Sequence, residues 1–597
     1  MLFVLGFFSG YSQTYTFVNP IPIPDTIDGP IVPFGVDVET HSFCPNDTTD
    51  SLYAPITTIA YNHAISGNNT YLGPTLIWRA GLPKQFRVRN NLDEITTVHW
   101  HGAHIPAWTD GGPHQVIAPN GGIWEPDFIV RDSASTLWYH PHGLDETYTQ
   151  MEMGASGLII VRDREDTLRE YLPHRYGVDD FPILIQDRAF VDSTGNGEYY
   201  IDTTQAGNGK VKEIIVNGVT RPYLEVPPQL VRFRVLDGSG RRSFQLGIGD
   251  SSLTPQTFNL IASDGGYLGG PEPVTTFLTS VGIRNEIVMD FTGHEGESFY
   301  LLNQQHLMPP RIIGAGPIGG QSSTTTNRPT FMEFRVQGTP VPPLASIPPA
   351  WPPTERYDTL LVTKNRTKEM LDLAGGGFSI NNLQFEIDSI NDIVFVDSTE
   401  IWTIKNPSKI AHPFHIHDVQ FFVIDVRDSN GVLIPTPVEF KGPNDNILVQ
   451  VGWSVRFVTQ FTNFATSISS DSAYMYHCHI LTHEDGFYGT GTALDHYGMM
   501  QQFVVTNKIP AGTPTQDMGE NMILYPNPAT DILHLNGEST KPSSIRITDL
   551  QGRVLRKLEL PPFWGTTDIN LDGLGRGLVL VEWSSRDGSF VRKVMLK

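Results

Sequence analysis

The pairing of histidines constrains this chain more than any other feature. Ten of its nineteen histidines fall in four short runs: HWH (99–101), HPH (140–142), HPFHIH (412–417) and HCHILTH (477–483). A lone histidine is usually an ordinary core or surface residue, but composition alone does not produce four such runs. In an extended strand, residues i and i+2 share a face while i+1 points away. His99 with His101, His140 with His142, His415 with His417, and His477 with His479 can therefore each address one site. Eight imidazoles exceed the three or four ligands of a mononuclear zinc site. They are enough to hold three metal ions and leave positions open for a small ligand.

Cys478 lies between the members of the fourth pair, so its side chain is expected on the opposite face. One thiolate, two imidazoles and a weak thioether make the blue-copper electron-transfer site. His412 and His483 are left over from the pairs, and Met499 or Met500 can supply the thioether. An electron arriving beside Cys478 would have a short backbone route to His477 and His479.

The remaining sequence favours many short strands. Glycine (56) and proline (45) are plentiful, and alternating runs such as VRFRVL (231–236) and SVRFVTQF (454–461) read as half-buried strands. Three strand-rich blocks are expected at 15–164, 177–338 and 356–507, with a proline-rich spacer at 339–355. A polar linker (508–520) precedes a final block, 521–597. The formal net charge of −23 disfavours nucleic acid and anionic membranes as partners. No apolar run reaches the roughly 20 residues of a membrane-spanning helix. Residues 1–14 read as the apolar part of a signal peptide, without its basic beginning. Of the two cysteines, Cys44 is left as a structural thiol, and no disulfide is expected to hold the fold.

Together, HxHG, HxH, HPxHxH and HCHxxxH closely resemble the motifs of the multicopper oxidase family, in the family's order and over about residues 60–505. The segments 214–242, 258–268 and 378–388 also resemble its domain landmarks. The resemblance implies an all-β fold of three cupredoxin-like Greek-key domains. It implies four coppers: type 1 at His412, Cys478, His483 and Met499; type 2 at His99 and His415; a type 3 pair at His101, His140, His142, His417, His477 and His479. The second domain would carry no copper and would help shape the substrate side. HCHILTHED and the terminal GMM look most like the spore-coat laccase and bilirubin oxidase branch. By that likeness Asp110 tunes the water at the cluster and Glu484 passes protons to the type 3 pair. His104 and His114 match no ligand position and are expected on the surface or behind the ligands.

The final block resembles the type A sorting domain of the type IX secretion system, through ILYPNP (523–528), DLQGR (549–553) and a basic last strand. It would be a small β-sandwich that directs the chain through the periplasm and outer membrane, making the mature protein secreted or surface-bound. The expected activity is laccase-like. O2 would accept electrons from a phenol, an aromatic amine or a bilirubin-like donor at the exposed edge of His483, in a monomeric enzyme. The rival readings are a metallo-oxidase of Cu(I), Mn(II) or Fe(II), and a non-catalytic scaffold. The sequence departs from the family pattern after Asp485: thirteen residues precede Met499 where the pattern has two. The extra segment, 486–496, is expected on the donor-facing rim, with His496 a minor rival for the copper.

Overall fold

The computed structural model describes residues 16–597 apart from 63–68, 164–166, 193, 204–210, 316–327, 352–354, 375, 467, 486–497, 508–521, 540, 550–552 and 586–588. The expected signal peptide, the 486–496 insertion with His496 and the 508–520 linker lie outside the described residues. Two compact units divide at residue 507.

Among the described residues, the first unit has six β-sheets, packed in pairs. In the first pair, a sheet ordered Thr26–Ile27, Thr75–Arg79, Gly157–Arg162, Ser135–His140, His99–His101 faces one built on Ile56–Asn62, Ile31–His41, Pro83–Asn90 and Gly122–Trp124. In the third pair, a sheet ordered Asp392–Phe395, Met500–Thr506, Tyr474–Cys478, His412–Ile416, Asn446–Val449 faces one centred on Ser398–Lys405 and Ser454–Phe461. The middle pair spans Asp180–Val336, and Arg284–Asp290 lies near the centre of its larger sheet. Asn19–Pro20 pairs in parallel with Pro222–Val226, so the chain enters through the second domain's sheet before it builds the first.

Burial patterns separate ordinary strands from those that carry histidines. Pro83–Asn90 alternates strictly between exposed and buried, as a strand with one wet face must. His99–His101, Ser135–His140, His412–Ile416 and Tyr474–Cys478 are buried throughout. One face of each fills its own sandwich: Trp100 in the first core, and Phe414, Ile416, Tyr476 and Cys478 in the third. The i, i+2 histidine pairs occupy the other face, where the first and third domains meet, while His412 shares the core side with Phe414.

The proline-rich connector is fastened to the second domain. Trp351 is buried and donates its indole N–H to the Leu268 carbonyl at 2.7 Å, and Arg175 donates to the Val341 and Pro342 carbonyls. Cys44 and Cys478 are both free and buried. The Cys44 sulfur lies 3.1 Å from Arg221 Nη2 and 3.4 Å from Asn19 Nδ2, which suits the structural role expected of it.

The second unit has a three-stranded and a four-stranded sheet around its own core, including Leu533, Leu535, Ile545, Val581 and Trp583. Among the described residues, no helix is long and apolar enough to cross a membrane.

Candidate metal centre

Strand register brings the paired histidines together. His140 stands beside His99 in one ladder, and His415 stands beside His477 in another. Across the domain interface the rings form three groups. His99 and His415 face one another, both with buried Nε2 atoms that have no hydrogen-bond partner. His101 Nδ1 lies 3.5 Å from His140 Nε2 and 3.1 Å from His479 Nε2. His142, His417 and His477 converge through their Nε2 atoms, with His477 3.2 Å from each of the other two. Each HxH pair thus serves one continuous cluster but divides its members between adjacent groups. The two-residue repeat places both rings on one face, and their spacing along the strand keeps them from converging on one point.

The thiol site lies on the core side. His412 Nδ1 is 3.3 Å and His483 Nδ1 3.6 Å from Cys478 Sγ, and the two nitrogens are 3.3 Å apart. Met499 is buried in the same apolar cluster as Cys478. Met500, its neighbour on the strand, packs instead with Phe385 and Met475. The backbone ties Met499 in place: its N–H donates to the His483 carbonyl at 2.6 Å, and its carbonyl accepts from Cys478 N–H at 3.0 Å. Gly498 makes this return possible, since a Cβ there would lie 1.6 Å from the Glu484 carbonyl oxygen. Both stems of the inserted segment therefore stay at the site. His483 itself is only 3% exposed, with the Phe378 ring centroid 4.4 Å from its own. The open edge expected from the sequence is covered by aromatic packing.

Hydrogen bonds behind the rings set their tautomers. His99 Nδ1 pairs with the Asp110 carbonyl at 2.8 Å and His415 Nδ1 with the Asp445 carbonyl at 2.9 Å, leaving both Nε2 lone pairs facing the cluster. The Asp110 carboxylate takes His417 Nδ1 at 2.7 Å. The Glu484 oxygens lie 3.4 Å from His142 Nδ1 and 3.1 Å from His477 Nδ1. Both carboxyls are buried, which raises their pKa from the ordinary value. Burial also depresses the imidazoles, His142 and His477 to about 4 and His412 to about 3. Neutral rings with free lone pairs are the form a metal requires. Burial pushes the Cys478 thiol up, so its ionisation calls for a cation at that point. The donor set therefore fits copper: one sulfur with two imidazoles on one side of a strand, and eight imidazoles on the other.

His104 is half-buried against Asp418, with Nδ1 2.8 Å from Oδ1, and His114 Nε2 lies 2.9 Å from Gln502 Oε1. Both bridge the first and third domains behind the cluster. Sequence reasoning did not find Asp445, Asp264, Arg284 or Ser408. Asp445 Oδ1 accepts from His101 Nε2 at 3.0 Å, and Ser408 Oγ lies 2.9 Å from His412 Nε2. None of the four belongs to a histidine motif, and only their folded neighbours reveal them.

Fold and site together define a copper-binding protein of stacked β-sandwiches. Residues 52–166 and 352–508 match sequence profiles described as multicopper oxidase, and 523–597 match a secretion system C-terminal sorting domain. A multicopper oxidase of Staphylococcus haemolyticus is 31% identical over 451 residues, covering 75% of this chain and 85% of the relative. A bilirubin oxidase of Albifimbria verrucaria is 30% identical over 423 residues, 69% of each chain. Among solved structures, the laccase-like CueO of Ochrobactrum sp. superposes with a TM-score of 0.65 at 29% identity, over 82% of this chain and all of that one. The chain belongs to the multicopper oxidase family. It is an oxidoreductase of three cupredoxin-like domains followed by a sorting domain.

Proposed function

We propose that this protein is an exported, laccase-like oxidase that takes single electrons from phenols, aromatic amines or bilirubin-like donors and reduces O2 to water. His412, Cys478, His483 and Met499 would hold the type 1 copper, His99 and His415 the type 2 copper, and the other six histidines the type 3 pair. Bound copper would supply one-electron redox chemistry at the sulfur and oxygen reduction at the cluster. The observation that carries this reading is the placement of Cys478 on one face of a strand between His477 and His479 on the other. Two covalently linked paths then join donor side and oxygen side over a few bonds.

The chain's own groups serve the rest of the reaction. Making two waters consumes four protons, and Glu484, whose oxygens lie behind both His142 and His477, would deliver them. Asp110 fixes His99 through its carbonyl and His417 through its carboxylate. On the donor side, Phe378 lies against both His412 and His483, and Lys409 Nζ stands 5.2 Å from the Phe378 ring centroid. The Lys409 cation beside this buried aromatic cover disfavours a metal cation as donor. The Ochrobactrum relative is described as oxidising lignin model compounds and lignosulfonate, in keeping with such donors.

The tail supports passage through the periplasm and outer membrane by type IX machinery to a secreted or surface location, and the enzyme would act as a monomer. The deciding experiment is an optical and EPR spectrum of the copper-loaded protein, followed by O2 uptake with a phenol panel against Fe(II), Mn(II) and Cu(I). A strong visible Cu–thiolate band and preference for phenols are expected. Absence of the band in protein holding four coppers sinks the type 1 assignment, and faster turnover of metal ions sinks the donor class.

A further inference from the structure

Among the described residues the second domain contributes no histidine to the cluster, yet its Arg284 and Asp264 side chains reach the residues that stand behind it. Arg284 begins the strand Arg284–Asp290 and is fully buried where all three domains meet. All five of its N–H donors are directed. Nε donates to the Thr136 carbonyl of the first domain at 2.9 Å. Nη1 donates to the Gly282 carbonyl at 2.9 Å and to Asp445 Oδ1 of the third domain at 2.8 Å. Nη2 donates to Asp445 Oδ2 and, at 3.4 Å, to the Asp264 carbonyl. Asp264 completes the frame: its Oδ1 accepts the Arg284 backbone N–H at 2.8 Å, and its Oδ2 accepts the N–H groups of Asp445 and Asn446 at 3.3 and 3.1 Å. The frame has no spare room. A Cβ on Gly102 would come within 2.6 Å of both Arg284 Nη2 and Asp445 Oδ2.

The same Asp445 oxygen that receives Arg284 Nη1 also receives His101 Nε2 at 3.0 Å. That bond consumes His101 Nε2 and leaves Nδ1 as the atom facing His140 and His479. The other cluster histidines with a bond behind them present Nε2 instead. The backbone carbonyl of the same Asp445 takes His415 Nδ1 and turns its Nε2 toward His99. Resting on the copper reading given above, we infer that Arg284 is a positioning residue for the cluster. Its fork fixes the Asp445 carboxylate, which selects the His101 tautomer and ring angle, while Asp264 fixes the Asp445 backbone that orients His415. The fork also neutralises Asp445, which otherwise offers a competing anionic ligand beside the metal. The redox-silent domain thereby decides whether the His101–His140–His479 group closes on its copper.

Arg284→Lys keeps the charge and removes the fork; Asp445→Asn keeps an acceptor for His101 and removes the ion pair. Glu286→Gln is the control, since it breaks a neighbouring buried ion pair that touches no cluster histidine. Each copper-loaded protein is challenged with a chelator while bound copper, the visible Cu–thiolate band and the EPR spectrum are followed. Wild type is expected to hold four coppers, with the type 3 pair magnetically coupled and silent. Both site variants should lose cluster copper about 10–100-fold more readily, the range for removing a group behind a metal ligand. They should expose a new cupric EPR signal from the remaining member of the pair, with the visible band retained. The control should keep the wild-type profile. Unchanged extraction and EPR in the site variants overturn the inference. So does loss of the visible band in step with cluster copper, which marks a merely structural role. If Arg284→Lys does not fold, Asp445→Asn decides by the same criteria. A wild-type protein that retains no copper refutes the metal reading instead.

Discussion

Replacing Gly498 by alanine tests whether the long excursion before Met499 leaves the sulfur site intact because its stems are fastened. The new Cβ would stand 1.6 Å from the Glu484 carbonyl oxygen, whereas real Cβ contacts stay beyond 3.0 Å, so the two backbones must part by at least 1.4 Å. Both atoms are backbone or directly attached to it, so no side-chain rotation relieves the clash. The separation breaks the 2.6 Å bond from Met499 N–H to the His483 carbonyl and carries the thioether away from Cys478. Forced overpacking of this kind costs about 1–3 kcal/mol of stability. Its spectroscopic effect is larger in kind. A weaker axial donor stabilises the cupric state less, so the reduction potential rises and the Cu–thiolate band shifts. The cluster histidines lie on the other face and should keep three coppers. The assay is copper content, visible spectrum and a redox titration on the same preparation. An unchanged band and potential, in a protein with alanine verified at 498, refute the reasoning.

Three further outcomes follow from the same geometry. Met499→Leu should alter the visible band, while Met500→Leu, in the Phe385–Met475 cluster, should leave it unchanged at a stability cost under about 1.5 kcal/mol; the pair is scored by spectrum and melting temperature. Glu286 is pushed up by burial, but Arg232 and Arg234 outweigh this and hold it down to about 2 from 4.5. A depressed carboxylate contributes stability above its unfolded pKa and loses it as pH falls through the folded one. Glu286→Gln should therefore cost metal-free protein about 3 kcal/mol at pH 7, with the gap to wild type closing between pH 4.5 and 2 in acid unfolding curves. Removing copper should lower the melting temperature, by the equivalent of about 4 kcal/mol if free copper had stood at 1,000 times its dissociation constant; equal melting with and without copper contradicts the ligand assignments.

Much of the site was legible in the sequence because its rules are local. A period of two puts His477 and His479 opposite Cys478 wherever that strand lies, and the cores on either side follow the same alternation. Which ring joins which group was not legible from spacing. His140 ends its strand and His142 lies beyond Pro141, so the two depart toward different partners. The Asp445–Arg284 frame was invisible for a different reason: its contacts join residues 161 and 344 positions apart, with no repeat to betray them. The cover over His483 was missed because Phe378, over a hundred residues away, stood in the sequence only at the start of the 378–388 landmark, which does not tell what its ring packs against. The proline-rich connector read as a free spacer from composition, yet one tryptophan and one arginine suffice to fasten it.

The division of ligands between the first and third domains also bears on how such a chain is made. Four cluster histidines are present once residue 142 has emerged, but every metal group needs a partner from 412–483, and the sulfur site needs Met499 as well. A chain that stops before residue 412 therefore has no complete binding site, although the sulfur site, once made, lies wholly within 412–499. On these assignments cluster filling must wait until the third domain has been made. In a chain that ends in a secretion system sorting domain, that ordering favours filling after translation and folding are done.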